Sequence, residues 1–206
     1  MAALVYVATS IIQIPSPVNG YVNLGDCFVL LSGWLLGPWW GGAAGGIGSM
    51  LADLVLGYGH YAPGTLIIKG LDALVAALIF RALGRGKTAM LVSGIVGETI
   101  MVLGYFAYAS MILGKGLAAA ASIPGNIVQG IAGIAIGLAL AMFFRIDDIE
   151  ISGNSRYSNE QIAAAAQIKA GDNLFFLNKY DAAARIRQQL PYVETVQFRR
   201  VLPSKL

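Results

Sequence analysis

Residues 31–58 read LSGWLLGPWWGGAAGGIGSMLADLVLGY, and the reading of this stretch decides the fold class. It holds the end of one apolar segment, roughly 22–40, and most of the next, 41–61. Within the second, Gly41, Gly45, Ser49, Asp53 and Gly57 recur every four residues. That spacing puts them on one face of a helix, a small-residue face along which a neighbouring helix comes close, as transmembrane helices do. A single acid, Asp53, stands on that face, where it can tie down a neighbouring helix. Gly133 and Gly137 repeat the pattern later.

The same character extends outward. Of 206 residues, 57% are hydrophobic and 12% charged, about half the charge of a water-soluble domain. Much of the outer face therefore meets lipid. The net charge of +3 shows no basic patch, so no nucleic acid is expected. Cys27 is the single cysteine, which excludes a disulfide framework, and no ligand spacing for zinc occurs. Residues 1–145 carry ten charged side chains and the last 61 carry fifteen, so two unlike pieces are joined.

Crossing the hydrocarbon core takes about 20 apolar residues. Four segments suffice, at roughly 22–40, 41–61, 64–83 and 89–113, and a fifth runs from Pro124, a residue suited to a first helical turn, to Phe144. Met1 to Ile14 is apolar but short, and reads as the remnant of a span. The rival reading, a signal peptide, lacks a basic n-region and a cleavage site. Arg81, Arg85 and Lys87 between the fourth and fifth helices place that connection in the cytoplasm. Alternation then sets 15–23, 58–63 and the region of Lys115 outside, with Arg145 inside, although Lys115 opposes the rule.

Ionisable side chains in a bilayer are costly, so each is a candidate functional group. By depth, Asp26, Asp53 and Lys69 lie toward the outer ends of their helices, and Asn126 and Gln129, three apart, open the sixth from outside. Glu98 is deeper, in a stripe with Gly94, Met101 and Tyr105 at helical spacing. Convergence on the outer half predicts a cavity open to the exterior. Structural alternatives stand beside this: Lys69 and Asp72 could neutralise each other, and Asp26 could cap its own helix. His60, in an outer turn, reads as a loop residue at the cavity mouth. The loop Pro15 to Asn23 reads as a lid or a rigid connector, with Asn19, Tyr21 and Asn23 offering hydrogen bonds.

No P-loop, GxSxG or HExxH is present, so no catalytic residue, cofactor or resident metal is expected. Transport leads. Without two detectable repeat halves, the chain is expected to capture a solute while another protein supplies energy.

With these residues in view, IPSPVNGYVNLGD (14–26), the stretch 31–58, YAPGTLIIKGLDAL (61–74), Gly97-Glu98 and PGNIVQG (124–130) resemble the substrate-binding S component of energy-coupling factor (ECF) vitamin transporters. The resemblance covers residues 1–145 and implies a six-helix bundle that takes one small vitamin-like molecule from outside. It also implies a multi-pass location in the bacterial cell membrane, a transmembrane coupling subunit and two ATPases as partners. By that likeness Asn19, Tyr21 and Asn23 belong to a gating loop, and Lys69, Glu98, Asn126 and Gln129 to the pocket. The nearest branches in pattern are riboflavin-type and pyrimidine or pyridoxine-type, whose ring ligands suit stacking on Tyr21 and Tyr105. The family's small residues for docking the coupling subunit are not seen in the shortened first helix.

From Ile146, IDDIEISGNSRYSNEQI and the run from Ile168 to Leu206 are similar to the FtsQ/DivIB-type POTRA domain. Ile149 and Ile151 alternate with acids as a strand. Ser158 with Gln161 forms a capping box, and Asn178 caps a helix carrying Ala182, Ile186 and Leu190 that stops at Pro191. Val196 and Phe198 alternate again. The expected fold is thus an all-α membrane bundle of six helices, the first shortened, over 1–145, then an incomplete β-α-α-β module over 146–206 whose family's last strand would follow Leu206. The alternative function is a division-associated membrane protein whose POTRA module binds partners by strand addition.

Overall fold

Glycine and proline set the helix boundaries of the N-terminal part. The computed structural model describes residues 1–16, 20–144, 146–173 and 177–199, and they group into two compact units, Met1–Ala139 and Leu140–Leu206. The first unit opens with helix α1 (Ala2–Ile11), which ends where Ile12 turns extended. Strands β1 (Gln13–Ser16) and β2 (Gly20–Asn23) follow as an antiparallel hairpin, pairing Ile14 with Val22 and Pro15 with Tyr21. Helix α2 (Asp26–Leu36) stops at Gly37, whose φ of +85° an L-residue rarely adopts, and Pro38 opens α3 (Pro38–Val55). Helices α4 (Ala62–Ala82), α5 (Lys87–Ala107) and α6 (Ile123–Phe143) complete the unit, with a π turn at Tyr108–Ile112 and a 3-10 segment at Gly116–Ser122 between the last two.

Two details go beyond the sequence reading. Of the expected loop 15–23, the described residues Pro15, Ser16 and Gly20–Asn23 are strand, pairing as part of a hairpin that begins at Gln13. Five segments of spanning length behind a shortened first helix were also expected, and α1–α6 match that helix order. Among the described residues three helices are long and apolar enough to cross a membrane, namely Ala62–Ala82, Lys87–Ile112 and Gly116–Phe143. The hairpin takes residues from both α1 and α2, so α2 with 11 residues rises only about 16 Å and α3 with 18 about 27 Å, against a hydrocarbon core of about 30 Å.

The small-residue face is a packing seam. A Cβ added at Gly41 would stand 2.6 Å from the Gly33 Cα and 2.6 Å from the Ser32 carbonyl oxygen, so α2 and α3 touch backbone to backbone. Burial is inverted relative to a water-soluble protein. Asp26, Asp53, Lys69, Asp72, Glu98, Asn126 and Gln129 are all buried, while Ile67, Leu103, Val128 and Ile131 are each more than half exposed. An apolar exterior of that kind is solvated by lipid rather than by water.

In the second unit, helices α7 (Asn159–Ala166) and α8 (Lys179–Gln189) start at the expected caps. Ser158 Oγ accepts from the Gln161 amide while Gln161 Oε1 accepts from the Ser158 amide. Backbone N–H donation and the Ser158 hydroxyl hold the Glu160 carboxyl below its usual range. Ile146, Ala165, Ala166, Ile168, Ala182 and Ile186 form the core. The strands expected around Ile149 and Val196 are not formed among the described residues, where only isolated bridges at Asp148 and Asn173 occur. Ile149, Val196 and Phe198 nonetheless pack on the core, so burial holds them in place without a hydrogen-bond ladder.

Candidate solute site

The polar residues of the first unit meet in two layers. The upper layer is a cavity of about 50 Å³ whose lining includes Tyr21, Asn23, Lys69, Tyr105, Asn126 and Gln129, six of the eight candidates named from sequence. Asn19 lies outside the described residues. Glu98 does not line this cavity. It lies in the lower layer, where one carboxylate oxygen from each of Asp26, Asp72 and Glu98 falls within 4.8 Å of the others. The cause is depth. Glu98 and Tyr105 lie on nearly the same face of α5 but about 10 Å apart along its axis, so Glu98 stands beside Gly130 and Gly133 of α6 while Tyr105 reaches the cavity.

Lys69 and Gln129 join the layers. Lys69 Nζ donates to Asp26 Oδ1 in a buried ion pair, so the alternative pairing of Lys69 with Asp72 on its own helix is not formed. Asp26 does not cap α2 with its side chain. Instead its second oxygen accepts from Gln129 Nε2 at 2.8 Å, and Gln129 Oε1 accepts from the Asn23 amide of β2, also at 2.8 Å.

The hairpin closes over the cavity through a second contact. Tyr21 Oη donates to Asp53 Oδ1 at 2.7 Å, and its ring lies 4.6 Å from that of Tyr58. Burial first, and then the charge of Asp53, push the Tyr21 hydroxyl well above the usual phenol range. Thr65 Oγ1 donates to the other Asp53 oxygen and, with its proton so committed, accepts from Tyr105 Oη at 3.0 Å. Lys69 Nζ sits 5.6 Å from the Tyr105 ring centroid, within cation–π range. His60 lies among Tyr58 and Tyr61 in the outer turn, and its carbonyl accepts from Tyr108.

Three polar side chains facing this space are uncommitted. Thr9 Oγ1 and Ser49 Oγ are buried without a hydrogen-bond partner, and Asn126 makes no hydrogen bond to another described residue. Thr9 and Ser49 were not chosen from sequence. A signal existed for Ser49, which stands one turn before Asp53 on the small-residue face; Thr9 carried none. Buried polar atoms left unpaired by the protein are costly, and a site that presents several toward one space offers them to a ligand.

Residues 1–145 match the family described as ECF-type riboflavin transporter, S component, and residues 144–206 match the FtsQ-type POTRA domain. An uncharacterized protein in gap 3′ region of Pyrococcus woesei is 39% identical over 145 residues, covering 68% of this chain and 94% of that protein. The cell division protein DivIB of Clostridium botulinum strains Hall and Loch Maree is 42% identical over 64 residues, 31% of this chain. The chain spans only a quarter of the length of these DivIB proteins, so that likeness concerns the tail. Both families are membrane proteins, and the three long apolar helices fit that setting. On a match covering more than two thirds of its residues, the chain belongs to the ECF-type riboflavin transporter S component family, with an FtsQ-type POTRA domain as its C-terminal part.

Proposed function

We propose that residues 1–145 form a six-crossing membrane domain that captures riboflavin, or a close ring relative, from the external medium, and that 146–206 form a separate POTRA-like module. The observation that carries this reading is the pair of buried, unpaired hydroxyls of Thr9 and Ser49, which line one space with Asn126, Lys69, Tyr21 and Tyr105. A flavin ring is flat and aromatic with an imide edge. It suits tyrosine faces on its sides and hydroxyl, amide and ammonium groups at its rim. A cavity of about 50 Å³ is far below the roughly 300 Å³ of small-molecule sites, so the ring enters only when the hairpin and its tyrosines move aside. Asn19, Tyr21 and Asn23 then belong to the gate, and Lys69, Tyr105, Asn126 and Gln129 to the solute contacts, while Glu98 acts from the layer below. Energy for release comes from a coupling subunit with its ATPases.

The test is titration of the purified chain with riboflavin, followed by flavin fluorescence, and mass spectrometry of any small molecule that copurifies. Saturable quenching at one flavin per chain is expected; no quenching and no copurifying ring compound refutes the reading. A second reading, a division role for the tail, draws on its identity to DivIB. A cysteine at the exposed Ser155 distinguishes them, since Cys27 is buried and silent. Protection from an impermeant maleimide in intact cells supports the six-crossing topology, and labelling supports the external role.

A further inference from the structure

We propose that Asp26, Asp72 and Glu98 bind one hard divalent cation of calcium size beneath the solute cavity. The three acids come from α2, α4 and α5, and each presents an oxygen within 4.8 Å of the other two. Oxygens that share one ion at a calcium distance of about 2.4 Å stand no more than about 4.8 Å apart in pairs, so three oxygens within that limit can converge on an ion of that size.

Charge points the same way. With every acid ionised, three carboxylates and Lys69 sum to two negative charges, on side chains that are 0% exposed for Asp26 and Asp72, 2% for Lys69 and 4% for Glu98. Lys69 is committed to Asp26, whose other oxygen is taken by Gln129. All four oxygens of Asp72 and Glu98 are buried with no hydrogen-bond donor among the described residues. Nor can the helices around them supply one, since helical amides are already bonded within their own turns. Gly97 of α5 and Gly130 and Gly133 of α6 close in on the carboxylates, and a side chain there would collide with Asp72 or Glu98. An uncompensated pair of charges in a bilayer is costly, so these acids hold either protons or a cation, and one divalent ion brings the sum of the ionised cluster to zero. The proposal does not depend on which solute is carried, and no solute is needed to test it.

The experiment uses the full chain in detergent, stripped of metal with a chelator and then dialysed against radiolabelled calcium without flavin. One calcium per chain is expected to bind saturably and to raise the thermal midpoint, with sodium or choline chloride at equal ionic strength failing to do so. Asp72→Asn and Glu98→Gln are each expected to weaken binding roughly tenfold or more. The double variant Asp72→Asn/Glu98→Gln keeps the Asp26–Lys69 pair, carries no net charge in the cluster, and is expected to fold without calcium and to ignore it. The proposal is overturned if the parent binds no calcium at millimolar concentration, if sodium raises the midpoint as much, or if the double variant still binds calcium as the parent does. A flavin-binding chain that takes up no calcium sinks this site alone, and a calcium-binding chain that takes no flavin sinks the solute reading alone.

Discussion

Tyr21→Phe removes a single oxygen from the hairpin and leaves its ring on Tyr58. The lost group is the donor of the 2.7 Å bond to Asp53, which holds β2 to the bundle together with the Asn23 amide to Gln129 and the Gly25 amide to Asn23 Oδ1. A hydrogen bond to a charged acceptor contributes about 1.5–3 kcal/mol. At about 1.4 kcal/mol per tenfold, loosening the lid by that amount raises the population of the open form, and hence the rate of solute release, by roughly 10- to 150-fold. Entry passes the same lid and rises with it, so the effect is read from the release rate rather than from affinity. Stopped-flow displacement of riboflavin from the detergent-purified variant measures it directly. Because the raised pKa keeps the Tyr21 hydroxyl protonated, its donor role is complete below the unfolded phenol value of about 10 and is lost only as pH climbs beyond that. The ratio of variant to parent release rates is therefore flat across neutral pH. Release within about twofold of the parent, or a ratio that changes between mildly acidic and mildly basic buffer, refutes the lid argument.

Asn126→Ala removes an amide that no other described residue uses. It is expected to weaken flavin binding by roughly 2- to 12-fold, from about 0.5–1.5 kcal/mol, with an unchanged melting midpoint in the absence of flavin. Lys69→Met strands the Asp26 charge and is expected to cost about 3–5 kcal/mol of stability, largely recovered in Asp26→Asn/Lys69→Met; calorimetry in detergent reads both. Gly41→Ala drives a methyl into the backbone of α2 and is expected to cost about 1–3 kcal/mol. Gly59→Ala, whose new atom meets only Leu54 at 3.9 Å, serves as the matched change expected to leave the midpoint in place.

What could be read from sequence was local or periodic. The four-residue repeat that ends in Asp53 fixed a close helix contact, and the caps Ser158 and Asn178 marked two helix starts, because each signal is complete within a few residues. Depth along a helix was also legible, since residue count measures it, and six candidates share one cavity for that reason. Which neighbour meets a side chain was not. Glu98 and Tyr105 share one face of α5, but Glu98, two turns deeper, meets α6 and the carboxylates while Tyr105 lines the cavity. The partner of Lys69 illustrates the limit. Asp72 stands three residues after it, the less favourable order for a charge pair on a helix, and helical side chains lean toward the N-terminus, which carries the ammonium away from Asp72. Its partner lies 43 residues earlier, on α2.

That redirection is what makes the lower layer distinctive. Counted helix by helix within the buried layer, α4 looks balanced, with Lys69 against Asp72, while α2 and α5 each carry one acid that a neighbour could answer. Counted as a cluster, one ammonium faces three carboxylates, and the ammonium is bonded to only one of them. An excess of charge is a property of the assembly and of no segment in it. No donor among the described residues reaches the four oxygens of Asp72 and Glu98, so the layer is neutralised by protons or by a cation. A positive charge from outside the chain removes the excess, and because Gln129 ties Asp26 to the hairpin, its arrival is felt at the lid. Calcium is accordingly expected to slow flavin release in the parent and to leave the release rate of Asp72→Asn/Glu98→Gln unchanged, a comparison that stopped-flow displacement with and without chelator decides.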